Sequence, residues 1–291
     1  MILPLRVYQY MRIIEGGTGF YSKMDASIPI MYVLLFAVCF VPIIISLSMR
    51  KGLETISCPK AVRFGEGIAA LLVAVTLIIN AVETFGGFSD IFYAFKTINY
   101  DYTLSKYLMK SGGFAVLLES IFAVVSMVFF ILLGGAHFKG TSVSEYKLLA
   151  IAPLAWSICR IIHRFMRPVS YLKVSDLFFE MLMIVFLMLF FLAMAQKTSG
   201  VNSAGKGWKV FGYGLPAATL SLLCFVPRLT VAVMGRSDLL ADKSPIEYCD
   251  MAIALFIITY TIGRFQDIRA QVARPKLEEL KAESDPAEEN S

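Results

Sequence analysis

The sequence predicts an all-α integral membrane protein, a bundle of about seven transmembrane helices. Three observations carry this. Of the 291 residues, 57% are hydrophobic and 17% are charged, whereas soluble domains run at roughly 45–50% and about 25%. The apolar residues gather into nearly uncharged stretches of about 20, the length that crosses ~30 Å of hydrocarbon at ~1.5 Å per residue. None of the stretches alternates residue by residue, as a barrel strand would. Helices satisfy their own backbone hydrogen bonds, so each stretch is expected to be one.

Taken in order, residues 1–26 begin MILPLRVYQYMRIIEGG, a short apolar and basic piece expected at the membrane interface. The first span, 27–49, is too long for the apolar part of a signal peptide and has no small-x-small cleavage site, so it is expected to stay in the mature chain. The second span, 63–85, carries Asn80 and Glu83. Residues 86–111 are dense in Phe and Tyr, which suit the headgroup layer. The third span, 112–136, holds Glu119. The fourth, 147–167, and fifth, 174–196, form a hairpin, and the sixth and seventh are 209–234 and 247–264. The tail, 265–291, is charged and without periodicity and is expected to be disordered. Pro42, Pro153, Pro216 and Pro227 fall inside spans, where proline kinks a helix.

Seven spans put the first 26 residues and the 86–111 segment on one face, A, and the tail on the other, B. Face B holds the larger share of Lys and Arg once Arg160, Arg164 and Arg228 are set aside as buried within spans. The positive-inside bias then places face B and the C-terminus in the cytoplasm and the N-terminus outside, in the plasma membrane. Cys58 falls in a face B loop, whereas Cys39, Cys159, Cys224 and Cys249 fall within spans. No cysteine spacing suggests a disulfide framework or a zinc site.

The strongly polar and ionisable residues inside the spans cluster toward face A: Asn80, Glu83, Glu119, Arg160, His163, Arg164, Asp176, Glu180, Arg228, Glu247 and Asp250. Intramembrane charges are costly and mark functional or paired sites. Arg160 and Arg164 are spaced i, i+4, as are Asp176 and Glu180, so each pair shares a helix face. With the turn near Pro168 and Ser170, Arg164 is expected level with Asp176, and Arg160 with Glu180. Six carboxylates outnumber three arginines in this set, so some acids are expected to be protonated, solvated or reserved for a cation. Glu119 has no basic residue within a helical turn and is the foremost candidate proton or cation site, with Asp250 and Asn80 as neighbours.

Several chemistries are absent from the sequence. It contains two histidines, His137 and His163, and no H-E-x-x-H, P-loop or G-x-S-x-G motif. A single Asp176-x-x-x-Glu180 beside arginines reads as ion pairing rather than as a metal site. No basic run interleaved with aromatics would track nucleic acid. The expected protein is therefore non-enzymatic, without cofactor or metal. Its partners are the lipid bilayer and a small polar or cationic solute, bound or translocated through a polar cavity near face A. The alternative is a seven-helix sensor or accessory subunit, its charged cluster structural and its basic loops contacting a protein partner.

Overall fold

The computed structural model describes residues 1–15, 20–48, 60–97, 103–140, 147–166, 174–199, 207–240 and 246–263. The loop with Cys58, the hairpin turn at Pro168–Ser170 and the tail from 265 lie outside the described residues. Among the described residues the secondary structure is helical, apart from one bridge between Ile14 and Tyr21. The helices are α1 (Ile2–Arg12), α2 (Ser27–Ser48), α3 (Lys60–Thr97), α4 (Leu104–Ser111), α5 (Gly113–Lys139), α6 (Ala152–Met166), α7 (Val174–Ser199), α8 (Trp208–Val233) and α9 (Tyr248–Gly263).

Six of these elements are long and apolar enough to cross a bilayer: α2, α3, α5, α6 with its preceding turn, α7 and α8. Their outer faces carry large exposed side chains such as Val33, Phe36, Ile44, Val75 and Val82, a surface compatible with lipid and costly in water. The seventh expected span is the shorter helix α9, about 24 Å long. Ala252, Ile253, Ala254, Phe256 and Ile257 are fully enclosed, while Tyr248, Leu255 and Ile262 are exposed, and a helix apolar all round is either a core helix or a membrane span. Composition alone does not separate the two.

Helices α5, α7 and α8 pack against the buried side of α9. Phe256 meets Phe130 of α5 edge-on at 5.2 Å between ring centroids, and Tyr260 meets Phe190 of α7 at 6.1 Å. On α8, Gly214 lies so close to Ile257 and Phe190 that a Cβ there would sit 3.1–3.2 Å from them. Pro216 and Pro227 both lie within α8, and Pro42 lies within α2. Pro153 departs from expectation. It is the second residue of α6, just after the single turn Leu149–Ile151, where its missing N–H costs nothing. It starts the helix.

The segment expected at the headgroups divides in two. α3 runs without a break through Gly86 and Gly87 to Thr97, and α4 follows. Gly112, at φ 77°, turns the chain from α4 into α5, a left-handed conformation that glycine adopts without a Cβ penalty.

α3 and α5 are antiparallel neighbours. Gly67 faces Gly134, and fourteen residues further up α3 the Ala81 carbonyl accepts a hydrogen bond at 3.1 Å from Ser120, fourteen residues back along α5. At the glycine crossing the backbones nearly touch: a Cβ on Gly134 would lie 3.1 Å from the Gly67 carbonyl oxygen, whereas one on Gly135 would meet nothing within 4 Å. Small residues allow such approaches between membrane helices. Gly134→Ala is therefore expected to cost about 1–3 kcal/mol through overpacking, and Gly135→Ala to leave stability unchanged or slightly raised. Thermal unfolding of the two variants in one detergent checks the difference.

Candidate functional site

One end of the bundle holds a continuous series of alternating charges, buried or partly buried. It begins on α1, where Arg6 is 1% exposed. Arg6 forms an ion pair with Asp176 in the first turn of α7. Asp176 also lies 3.8 Å from Arg228 of α8, which reaches Glu180 of α7 at 2.7 Å. Glu180 lies 3.6 Å from Arg164 of α6, and Arg164 pairs with Glu247, just ahead of α9. Glu247 pairs in turn with Arg160 of α6, whose Nη1 is 2.8 Å from Asp250 of α9. That last contact is a charge pair without hydrogen-bond alignment, because Nη1 and Oδ1 make no directional bond. Four arginines thus meet four carboxylates across five helices. An isolated buried charge is costly, and alternation gives every charge an opposite neighbour.

This pairing differs from the register expected for the α6–α7 hairpin. Arg164 meets Glu180 rather than Asp176, a shift of about one helical turn. Arg160 is taken by α9 instead of α7. The physical reason is that α7 has two further cations to choose from. Arg6 and Arg228 occupy Asp176, and Arg228 also reaches Glu180; the alignment of two helices alone does not reveal that.

Arg6 is the residue that the sequence reading missed. It evens the count within the series, four arginines to four carboxylates, and leaves Glu83 and Glu119 as the acids outside it. α1 presents Arg6, Gln9, Tyr10 and Ile13 on one face, all buried, at the i, i+3, i+4, i+7 spacing of a helix that packs. That spacing was the available signal. The Arg6 guanidinium lies over the Phe179 ring at 4.7 Å and donates to Gln9 Oε1 at 3.0 Å. Gln9 donates at 3.1 Å to the Ser27 carbonyl, which anchors α1 to the start of α2. Tyr10 donates its hydroxyl to Asp176 at 2.7 Å. Burial pushes the Tyr10 phenol up to about 12, against the pull of Arg6, so it remains a donor. Asp25, at the bundle surface, accepts the Ser27 N–H at 2.8 Å, and that bond holds its carboxyl below the usual range.

Beside the charge series lies a cavity of about 480 Å³. α3 contributes Asn80, Glu83, Thr84, Gly87 and Ile91 to its wall. The α4–α5 corner contributes Ser111, Gly112, Val116 and Glu119, and His163, Arg164, Met166 and Glu247 close it. Of the eleven residues nominated by sequence, Asn80, Glu83, Glu119, His163, Arg164 and Glu247 share this cavity. Arg160, Asp176, Glu180, Arg228 and Asp250 do not line it and belong to the charge series behind it.

Glu119 has no basic residue within a turn of its own helix, but it gains one from another helix. His163 Nδ1 of α6 contacts Glu119 Oε2 directly. The two are distant in sequence, so spacing within one helix could not show it. Asn80 is 9% exposed, its Oδ1 is enclosed, and that oxygen accepts no hydrogen bond; Ser111 Oγ is likewise enclosed without a partner. Among the described residues no group of three His, Cys, Asp or Glu side chains is placed to hold a metal.

The far end of α3 carries a second polar contact. There Glu66, fully buried, is 3.3 Å from His137 Nδ1 of α5. It sits about 21 Å along α3 from Asn80. Between the two ends the interior is filled by Phe129, Phe130, Phe190, Phe191 and Phe256.

No protein-family profile matches the chain, and no curated protein or solved structure shows significant similarity to it.

The pairing of α1 with α7 can be tested by a double-mutant cycle. Arg6→Met or Asp176→Asn alone is expected to cost about 3–5 kcal/mol, because each leaves a buried charge uncompensated. The double variant is expected to lose clearly less than the sum of the two. Denaturation midpoints of the four proteins check this, and additive losses would contradict the pair.

Proposed function

We propose that this chain is a multi-pass membrane protein of the plasma membrane that binds a small polar, cationic solute in the cavity beside the charge series. In this reading α9 serves as a seventh crossing, with the N-terminus outside and the C-terminal tail in the cytoplasm. One observation carries the solute reading. Among the described residues the arginine in the cavity wall is Arg164, which is held by Glu247 and Glu180, while Glu83 has no ion-pair partner there. The lining therefore offers more negative than positive charge at a site walled on one side by protein, where an electrostatic interaction is weakly screened.

Binding is favoured over open conduction by the layer of phenylalanines between the cavity and Glu66. A polar solute crossing that layer would lose its hydrogen bonds. The alternative role, a sensor or accessory subunit, shares this architecture, with the charge series fastening the bundle and the solute site acting as its input.

The reading is tested on the full chain in phosphatidylcholine nanodiscs, by thermal unfolding against millimolar alkylammonium ions, choline and the anion glutarate. At about 100 times Kd, a bound cation stabilises by roughly 2.7 kcal/mol. At least one cation is expected to raise Tm and glutarate is not, with the rise lost in the Glu83→Gln, Glu119→Gln double variant. A rise with glutarate, or none with any cation, would contradict the proposal. The orientation has a separate test. Cys39, Cys159, Cys224 and Cys249 are all buried, so a membrane-impermeant maleimide reads Cys58. It is expected to leave intact cells unlabelled and to label inside-out vesicles; labelling of intact cells would reverse the topology.

A further inference from the structure

The charges around the cavity differ in whether they can change. The charge series joins carboxylates to arginines, which stay charged and favour the charged form of the acid beside them. An imidazole, by contrast, changes charge between about pH 5 and 8. Among the described residues of the cavity wall the imidazole is His163, and its Nδ1 meets Glu119 Oε2 across the α5–α6 contact. Both side chains are nearly enclosed, and neither belongs to the charge series. The cavity they line opens at the protein surface, where Glu83 and Gly87 of its wall are exposed.

The groups around the pair are fixed in other ways. Arg164 and Glu247 face the cavity but hold each other, and Glu180 of α7 lies on the far side of Arg164. Arg160 of α6 is within electrostatic reach of Glu119 and is itself engaged with Glu247 and Asp250. Cys159 of α6 and Cys249 of α9, also within reach of Glu119, are buried thiols. Glu83 faces the cavity from α3, and Lys106 and Lys110 of α4 are exposed.

We propose that the His163–Glu119 pair is a proton-binding site that sets the affinity of the cavity for a cation, the cation binding as the pair gives up its proton. This rests on the proposed function and adds the regulation of that site. With the ring charged, the pair carries no net charge. When the imidazolium releases one proton to solvent through the open side of the cavity, the ring becomes neutral and the pair keeps the single negative charge of Glu119. The wall then gains one negative charge in all, at a place where charge is weakly screened. The effect acts through that charge, so neither side chain has to touch the cation. Linkage makes it reciprocal: a bound cation favours the neutral ring and drives the proton off. In the proposed orientation the cavity faces outward, so its affinity falls as the external medium acidifies. The other histidine, His137, lies 3.3 Å from Glu66 at the far end of α3, away from the cavity, and serves as a control.

The test uses the full chain in phosphatidylcholine nanodiscs, with choline and propylammonium as probes, both of which keep their charge throughout the range. Apparent Kd is read from Tm titrations at the two ends of the imidazole range, about pH 5 and about pH 8. Binding is expected to be about fivefold or more tighter at the higher pH, the lower end of typical couplings between two sites. His163→Gln is expected to level the two affinities, and His137→Gln to keep them apart. Equal affinities in the wild type, or a difference that survives His163→Gln, would overturn the proton site and leave the cation cavity standing. Absence of binding by either cation at both pH values would overturn the proposed function and the coupling with it. Should His163→Gln not fold, 15N spectra of the wild-type histidine rings, assigned with His137→Gln, read the pair directly. At a pH where charged and neutral His163 coexist, added choline is expected to convert the charged form to the neutral one; unchanged proportions with choline bound would contradict the coupling.

Discussion

The structure depends on the alternation of buried charge from Arg6 through Asp176, Arg228, Glu180, Arg164, Glu247 and Arg160 to Asp250. Each of these groups would be costly on its own. Arranged so that every one has at least one opposite neighbour, they become the joint between α1, α6, α7, α8 and α9. The series also explains why a short N-terminal helix docks into the bundle. Asp176 needs a cation beyond the distant contact with Arg228, and Arg6 supplies it from α1, with Tyr10 as a further donor.

The same joint shapes the cavity. By tying Arg164 to Glu247 and Glu180, it withdraws positive charge from the wall that Asn80, Glu83, Glu119 and His163 also form. The two ends of the bundle are therefore built differently. At one end, ion pairs hold helices apart far enough to leave a polar space. At the other, Gly67 and Gly134 bring α3 and α5 into backbone contact beside the Glu66–His137 pair. Phenylalanines close the interior between them. In the proposed reading, a solute entering at the charged end would meet polar groups first and an apolar wall next.

The long apolar helices and the clustering of ionisable residues at one end were legible in the sequence, because both follow from the cost of charge in an apolar medium. Finer features were not, and each for a physical reason. The α6–α7 pairing slipped by about one turn because Arg6 and Arg228, from helices remote in sequence, both take Asp176. His163 meets Glu119 across two helices, which spacing along one helix does not show. α9 reads like its neighbours, since an enclosed helix and a lipid-facing one are equally apolar. Arg6 was hidden in a segment whose shortness suggested a surface location, although its face with Gln9, Tyr10 and Ile13 carried the spacing of a packed helix. The cavity could be anticipated from Asn80, Glu83 and Glu119, but Ser111 became part of it only through the corner at Gly112.

Arginines near helix ends have another outlet, extending to lipid phosphates, and the central claim is that these four do not take it. Solid-state NMR of the chain in phosphatidylcholine bilayers, with 15N-labelled arginine guanidinium groups, 13C-labelled carboxylates and native lipid 31P, measures the choice directly. The account predicts strong 15N–13C dipolar coupling to carboxylates for Arg6, Arg160, Arg164 and Arg228, each assigned by its Arg→Lys variant, and little coupling of any of them to 31P. Strong 31P coupling with weak carboxylate coupling would show arginines reaching the headgroups, and the buried alternating series would be wrong.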